Sequence, residues 1–357
     1  MRSEPLARHE QPNRNTRETD RMIVITGGAG FIGSALIWGL NRRGVRDILA
    51  VDARGKSEGC PNVAHLDYTD YMDKDDFITQ LEQGSLDNSV EGIIHMGACT
   101  DTTENDADFL MSNNYEYTKR LAEWSLKSKK RFVYASSAAT YGDGNQGFSD
   151  DHDILSELQP LNMYARSKHL FDLWAMRHDY LGKIAGLKYF NVFGPNEYHK
   201  GEMRSVVHKA FEQIKASGKV KLFRSHRPDY QDGGQLRDFV YIKDIVDITI
   251  FIYNQPTAQG IINVGTGQAR SFYDLVVAIF SAMNLTPDIE YIDMPESLRD
   301  QYQYLTQADV SKLRSLGYTN PTHPLEGAAD DYVKNYLLNK CVYLSNERGC
   351  CDDRRIN

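Results

Sequence analysis

The chain has 357 residues, enough for one large domain or two and for a sizeable apolar core. Lys plus Arg number 41 against 49 Asp plus Glu, and the resulting formal charge of −8 argues against general affinity for nucleic acid or anionic membrane, so an anionic ligand must be met by local basic groups. No apolar run approaches the roughly 20 residues of a membrane-spanning helix, and Cys60, Cys99, Cys341, Cys350 and Cys351 have neither metal-ligand spacing nor the pattern of a disulfide framework; a soluble protein of the reducing cytosol without a metal is expected.

Residues 1–21 mix Arg2, Arg8, Arg14 and Arg17 with Glu4, Glu10, Glu18 and Asp20 and lack an apolar stretch, which argues against a secretory signal and predicts a disordered polar extension. Met22–Thr26 reads as a buried strand entering a glycine-rich turn, and Phe31–Asn41 has helix-spaced apolar residues. Within that turn Gly27, Gly30 and Gly33 stand at Gly-x-x-Gly-x-x-Gly spacing. Glycines there permit the tight turn, let backbone N–H groups approach a pyrophosphate and allow helix to pack closely on strand. The next strand, Asp47–Asp52, ends about 20 residues later in Asp52, where a carboxylate can bind the adenosine ribose hydroxyls of a dinucleotide. Asp52 suits NAD, whereas Arg54, Lys56 and Lys74 could neutralise the additional phosphate of NADP; on residues alone the choice stays open.

Further strands are expected at Ile93–Met96 and Arg131–Ser137, with helices near Tyr115–Lys127 and Tyr164–Met176. Strands alternating with helices imply an α/β fold with a doubly wound parallel (Rossmann) sheet. Tyr164 and Lys168 fall four residues apart on one helix face, where an ammonium favours the phenolate and so makes the phenol a usable base. The strand ending in Ser137 delivers hydroxyls to the same crevice, with Thr140 as a nearby substitute. After Lys200 the alternation loosens, and residues 201–338 are read as a smaller, mainly substrate-binding α/β domain. Leu187–Asn191 and segments near 235–265 return to the cofactor domain, which otherwise spans 22–200. The tail over 339–357 reads as a disordered extension.

At this point the residues resemble the extended short-chain dehydrogenase/reductase (NAD-dependent epimerase/dehydratase) family, over about Met22 to Leu338. Within it HMGACTDTTE (His95–Glu104), NNYEYTK (Asn113–Lys119), YASSAATYG (Tyr134–Gly142), YFNVFGPNEYHKGEM (Tyr189–Met203), RDFVY (Arg237–Tyr241) and YQYLTQAD (Tyr302–Asp309) resemble the nucleotide-sugar 6-epimerases of that family. The resemblance implies that Phe31, Ile32, Asp52, Ala53, Lys74, Met96, Gly97, Ala98, Cys99, Thr100, Asn113, Lys168 and Val192 line a cofactor, expected to be NADP. It implies that Ser137 and Tyr164 act at the reacting hydroxyl and that Lys200 is a second acid/base. Asn191, Glu202, Phe223, Arg224, Ser225, His226, Arg237 and Tyr302 fall where the family holds a nucleotide-sugar. A cytoplasmic homo-oligomer is implied as well. Ala53 departs from the family's frequent Asn, Glu202 replaces a small hydroxyl residue, and the stretch Arg227–Gly234 is longer than in short members. The alternatives are another nucleotide-sugar epimerase, a 4,6-dehydratase, or a cofactor-binding scaffold without turnover. Lys200 discriminates against the first two, and Ala138 and Ala139 stand where a dehydratase has an acidic pair.

Overall fold

The computed structural model describes residues 21–53, 60–299, 302–339 and 342–346. In chain order come β1 (Met22–Thr26), α1 (Phe31–Asn41), β2 (Ile48–Asp52), β3 (Asp70–Asp73), α2 (Lys74–Glu82), β4 (Val90–His95), α3 (Ala107–Leu110), α4 (Tyr117–Lys127) and β5 (Arg131–Ser137). They continue with α5 (Met163–Arg177), β6 (Ala185–Tyr189), β7 (Asn191–Phe193), α6 (Val206–Ser217), β8 (Val220–Phe223), β9 (Leu236–Arg237), β10 (Phe239–Tyr241), α7 (Ile242–Asn254) and β11 (Gly260–Val264). The last are β12 (Arg270–Ser271), α8 (Phe272–Ala282), β13 (Ile289–Ile292), α9 (Glu296–Arg299), α10 (Ser311–Ser315) and α11 (Leu325–Tyr332).

Strands covered on both faces must be nearly all apolar, and MIVIT in β1 and ILAVD in β2 satisfy this. They join a seven-stranded parallel sheet in the order β11-β6-β5-β4-β1-β2-β3. The order reverses between β1 and β4, which brings Thr26 and His95 side by side and opens the crevice where doubly wound sheets bind ligands. β3, with sequence DYMD, is a partly exposed edge strand, so its polarity costs little.

The chain crosses between its two halves more than once. β6 and β11 pair side by side at one edge of the large sheet. β7 and β10 form a separate parallel ladder beside it, and α7 packs on α1. The smaller part contains β8 paired with β13 and β9 paired with β12, with α6 and α8 in contact. A reciprocal Ser271–Asp274 capping box starts α8.

The expectation of a detached carboxyl-terminal extension needs correction for Val342–Asn346. Leu344 is buried, Trp38 Nε1 donates to the Ser345 carbonyl at 3.3 Å, and Asn346 Nδ2 donates to Asn41 Oδ1 at 2.8 Å. One short apolar residue is invisible to periodicity, yet it fills a site on the cofactor half. Residues 1–20, Arg54, Lys56, Cys341, Cys350 and Cys351 lie outside the described residues. Among the described residues no helix is long and apolar enough to cross a membrane, and no cluster of His, Cys, Asp or Glu could hold a metal.

Candidate active site

The glycine turn sits at the switch point. Gly27 has φ +67°, and a Cβ there would lie 2.7 Å from Gly97 N; a Cβ on Gly33 would lie 2.0 Å from Gly27 O. Side chains are therefore excluded where the turn meets the loop after β4. Gly30 caps α1 without a side-chain hydrogen bond, and the first turn contains no acid, so its N–H groups and positive dipole end suit an anion. This cradle fits the pyrophosphate of a nicotinamide dinucleotide.

At the end of β2, Asp52 accepts hydrogen bonds from Ala29 N (3.1 Å) and Ala53 N (2.8 Å). Ala53 thus contributes its backbone to the carboxylate's orientation. Lys74 follows the β3 residue paired with Asp52; its ammonium pairs with Asp75 at 2.7 Å and lies 5.4 Å from the Tyr117 ring centroid.

Beyond the cradle a cleft of about 480 Å³ is lined by Phe31, Ile32, Met96, Ala98, Thr100, Ser137, Tyr164, Lys168, Asn191, Val192 and Lys200, among others. Its volume is within the range of small-molecule sites. Asn162 caps α5, with its Oδ1 accepting from Ala165 N at 2.8 Å, which fixes Tyr164 in the first turn and Lys168 one turn later. Ala139 N donates to Ser137 Oγ at 3.1 Å, and Ser137 in turn hydrogen-bonds the Tyr164 phenol. Burial pushes the Tyr164 phenol up from its ordinary value, opposed by that hydrogen bond. Burial pulls the Lys168 ammonium down to about 8, opposed by Asp172. The expected Tyr–Lys pair is therefore assembled beside its serine.

Lys200 reaches the same cleft from the short helical turn Tyr198–Met203, with its ammonium 5.5 Å from the Phe31 ring centroid. Burial lowers its affinity for a proton, and Glu197 opposes that shift. Two groups able to exchange protons, from different parts of the chain, thus line one cavity.

Arg237 is 7% exposed. Its guanidinium carbon is 5.2 Å from the Tyr302 ring centroid and 5.4 Å from that of Phe272, which itself lines the cleft. Nη1 donates to the Leu236 carbonyl at 2.9 Å, and no carboxylate pairs with it among the described residues. Burial lowers the guanidinium's pKa. Such a charge is costly without an anionic partner. Phe223 stands edge-on to Tyr302 at 6.3 Å.

Other expected residues sit elsewhere. The Glu202 side chain is 93% exposed and pairs with Lys209 at 3.4 Å, so it points to solvent and brings no charge into the cleft. Arg224 pairs with Asp293 at 3.3 Å, Ser225 N donates to Asp232 Oδ1, and His226 N donates to Tyr304 OH; all three belong to the rim of the smaller half. Asn113 faces Asn114, which is the buried residue that holds Cys99: Cys99 N donates to Asn114 Oδ1 at 2.8 Å and Asn114 Nδ2 donates to the Cys99 carbonyl at 3.0 Å. Thr140 is no substitute for Ser137, because its hydroxyl donates to the Ser137 carbonyl at 2.7 Å and accepts from Lys188.

Sequence reasoning also missed the buried Lys188–Asp172 pair, 3.5 Å apart beneath the serine. Asp172 accepts from Tyr134 OH and Ser136 Oγ. The charged residue inside AGLKY was its only visible signal.

Comparison with known proteins identifies the family. Residues 23–265 match the model of the NAD dependent epimerase/dehydratase family. The chain is 52% identical to the ADP-L-glycero-D-manno-heptose-6-epimerase of Nitratidesulfovibrio vulgaris (strain Hildenborough) over 88% of this chain and 98% of that one. It is 47% identical to the enzyme of that name from Fusobacterium nucleatum, over 90% of this chain and 100% of the relative. The crystal structure of the Helicobacter pylori ADP-L-glycero-D-manno-heptose-6-epimerase superposes with a TM-score of 0.72 at 28% identity, covering 88% and 96% of the two chains. The chain belongs to the NAD-dependent epimerase/dehydratase family, on the branch of the ADP-L-glycero-D-manno-heptose-6-epimerases.

Proposed function

We propose that the protein interconverts ADP-D-glycero-D-manno-heptose and ADP-L-glycero-D-manno-heptose at carbon 6, with NADP retained through the cycle. The observation that carries this reading is the presence of two separate proton-exchanging groups, Tyr164 and Lys200, on one cleft. NADP is preferred to NAD because Lys74 follows the strand residue beside Asp52 and because the motifs resemble a group expected to use NADP.

Carbon 6 of the heptose has no adjacent carbonyl to acidify its hydrogen, so inversion requires oxidation to a ketone and reduction from the other face. A nicotinamide dinucleotide, held by the glycine cradle, Asp52 and Lys168, would supply the oxidising and reducing equivalents when bound. Tyr164 exchanges the proton of the hydroxyl in one orientation, its phenol hydrogen-bonded by Ser137, with Lys168 one helical turn away on the same cleft. Rotation of the ketone about its exocyclic bond carries the oxygen away from Tyr164, and Lys200 exchanges the proton there. Burial favours this role, since a lysine with reduced proton affinity releases and recovers a proton more readily near neutrality. Arg237 holds the diphosphate by charge, and its burial leaves water a weak competitor.

The test is incubation with ADP-D-glycero-D-manno-heptose, separation of the epimers, and identification of the nucleotide in a denatured extract. The L-glycero epimer with co-purifying NADP is expected. A purified, folded, cofactor-loaded protein that leaves this substrate unchanged would refute the reading.

A further inference from the structure

The loop that carries Lys200 depends on outside contacts for its shape. Gly194, Asn196 and Gly201 have φ of 142°, 79° and 53°. Asn196 is a non-glycine residue in the left-handed region, a conformation that persists where surrounding contacts over-determine it.

Those contacts have identifiable sources. Glu197, 1% exposed, accepts from Ser205 N, Ser205 Oγ and Tyr332 OH. Asn196 Nδ2 donates to Ser34 Oγ on α1 at 2.9 Å, and its carbonyl accepts from Asn62 Nδ2, which also donates to the Ala29 carbonyl in the glycine turn. A further set of contacts comes from the carboxyl-terminal segment. Leu344 N donates to Asn196 Oδ1 at 2.9 Å, Tyr198 OH donates to the Val342 carbonyl at 2.6 Å, and the Tyr343 ring lies edge-on to Tyr198 at 5.2 Å.

This segment is itself fixed to the cofactor half. Leu344 is 2% exposed, Trp38 Nε1 donates to the Ser345 carbonyl, and Asn346 reaches the His65 carbonyl, Asn41 and Asp67. It ties α1, whose first turn forms the anion cradle, to a loop that ends in the second acid/base. It also lies beyond the residues matched by the family model, which end at 265.

We propose that Val342–Asn346 is a positioning strap that fixes Lys200, through Asn196 and Tyr198, relative to the dinucleotide cradle. The proposal rests on the reading of Lys200 as an acid/base. A misplacement of about 1 Å at a reacting group can cost about a hundredfold in rate, so a tether on the loop has catalytic leverage without touching substrate.

The test uses full-length variants. Leu344→Pro removes the N–H that Asn196 accepts, Leu344→Met keeps it, and Tyr198→Phe removes the hydroxyl that donates to the Val342 carbonyl and also bonds Tyr332. Each is assayed for epimerisation of ADP-D-glycero-D-manno-heptose and for acetylation of Lys200 by N-hydroxysuccinimidyl acetate, read by mass spectrometry. In Leu344→Pro, kcat should fall about tenfold or more with KM within about twofold, because positioning at the reacting centre is lost and substrate binding is kept. Lys200 should acetylate faster while Lys168 does not, and Leu344→Met should behave as wild type.

Wild-type kcat and wild-type Lys200 labelling in Leu344→Pro would overturn the strap. So would a fall in kcat with unchanged Lys200 labelling, which would make the segment a support of the fold alone. Should Leu344→Pro not yield folded protein, Tyr198→Phe decides by the same two readouts. Labelling requires no turnover, so it stands apart from the role of Lys200. Epimerisation surviving Lys200→Met would sink the acid/base assignment, whereas the labelling series alone judges the tether.

Discussion

Replacing Arg237 with Met should make the free protein more stable and the enzyme worse. The guanidinium is 7% exposed, contacts two aromatic rings and one carbonyl, and has no carboxylate partner among the described residues. A methionine of similar length keeps the packing against Phe272 and Tyr302 and removes the desolvated charge. By analogy with buried ionic groups replaced by apolar ones, the gain should be about 1–4 kcal/mol. At roughly 2–4 °C per kcal/mol for a protein of this class, thermal unfolding without ligand should shift upward by several degrees. Losing a buried charge-assisted contact to a diphosphate should cost about 2–5 kcal/mol of binding, roughly thirtyfold to several thousandfold in KM. The assay is a thermal melt of the free variant beside KM for ADP-D-glycero-D-manno-heptose. A lower unfolding temperature with unchanged KM would refute the reasoning, because Arg237 would then support the fold and not the ligand.

Gly33→Ala should destabilise the fold by about 1–3 kcal/mol and strip the protein of bound nucleotide, since the new Cβ would lie 2.0 Å from a backbone oxygen of the glycine turn; a full complement of nucleotide in the extract would contradict that geometry. Lys188→Met should cost about 3–5 kcal/mol by leaving Asp172 buried without its cation, at the low end because Tyr134 and Ser136 still donate to it; an unchanged denaturation midpoint would show that the pair contributes nothing. The Lys168 ammonium is present below about 8 and lost as pH rises through it, because burial depresses the folded value below the ordinary lysine range. Its burial therefore costs stability fully below that pH, and the cost is relieved between it and the ordinary value as the folded state releases the proton first. In kcat/KM the same loss should give a falling alkaline limb near that pH, which Lys168→Arg moves upward; an unmoved limb would assign it to another group.

The sequence disclosed the elements whose burial imposes a strong period. β1, α1 and β5 were readable to their ends because MIVIT and RFVYASS are strand-like runs bounded by turns and α1 has a clear helical spacing. The Tyr164–Lys168 pair was legible because a tyrosine and a lysine four apart on a helix share a face. β3 escaped notice because an edge strand need not be apolar. Asn113 entered through the family resemblance, which carries no signal for its neighbour Asn114, the residue that braces Cys99 from a π-helical turn over Met111–Glu116. Glu202 entered through the family resemblance, at a position where members carry a small hydroxyl residue, but after Gly201, at φ +53°, its carboxylate faces solvent and pairs with Lys209. The contacts of Leu344 join residues more than a hundred positions apart, and no local pattern encodes them.

The use of two acid/base groups by one cleft is tested most directly by epimer interconversion in Lys200→Met and Tyr164→Phe, each started from both epimers and each checked for bound NADP. Every complete epimerisation, in either direction, needs one group for oxidation and the other for reduction. Both variants should therefore keep their nucleotide and lose turnover by orders of magnitude whichever epimer is supplied. Near-normal interconversion by folded, NADP-loaded Lys200→Met would show that Tyr164 alone suffices and would contradict the account.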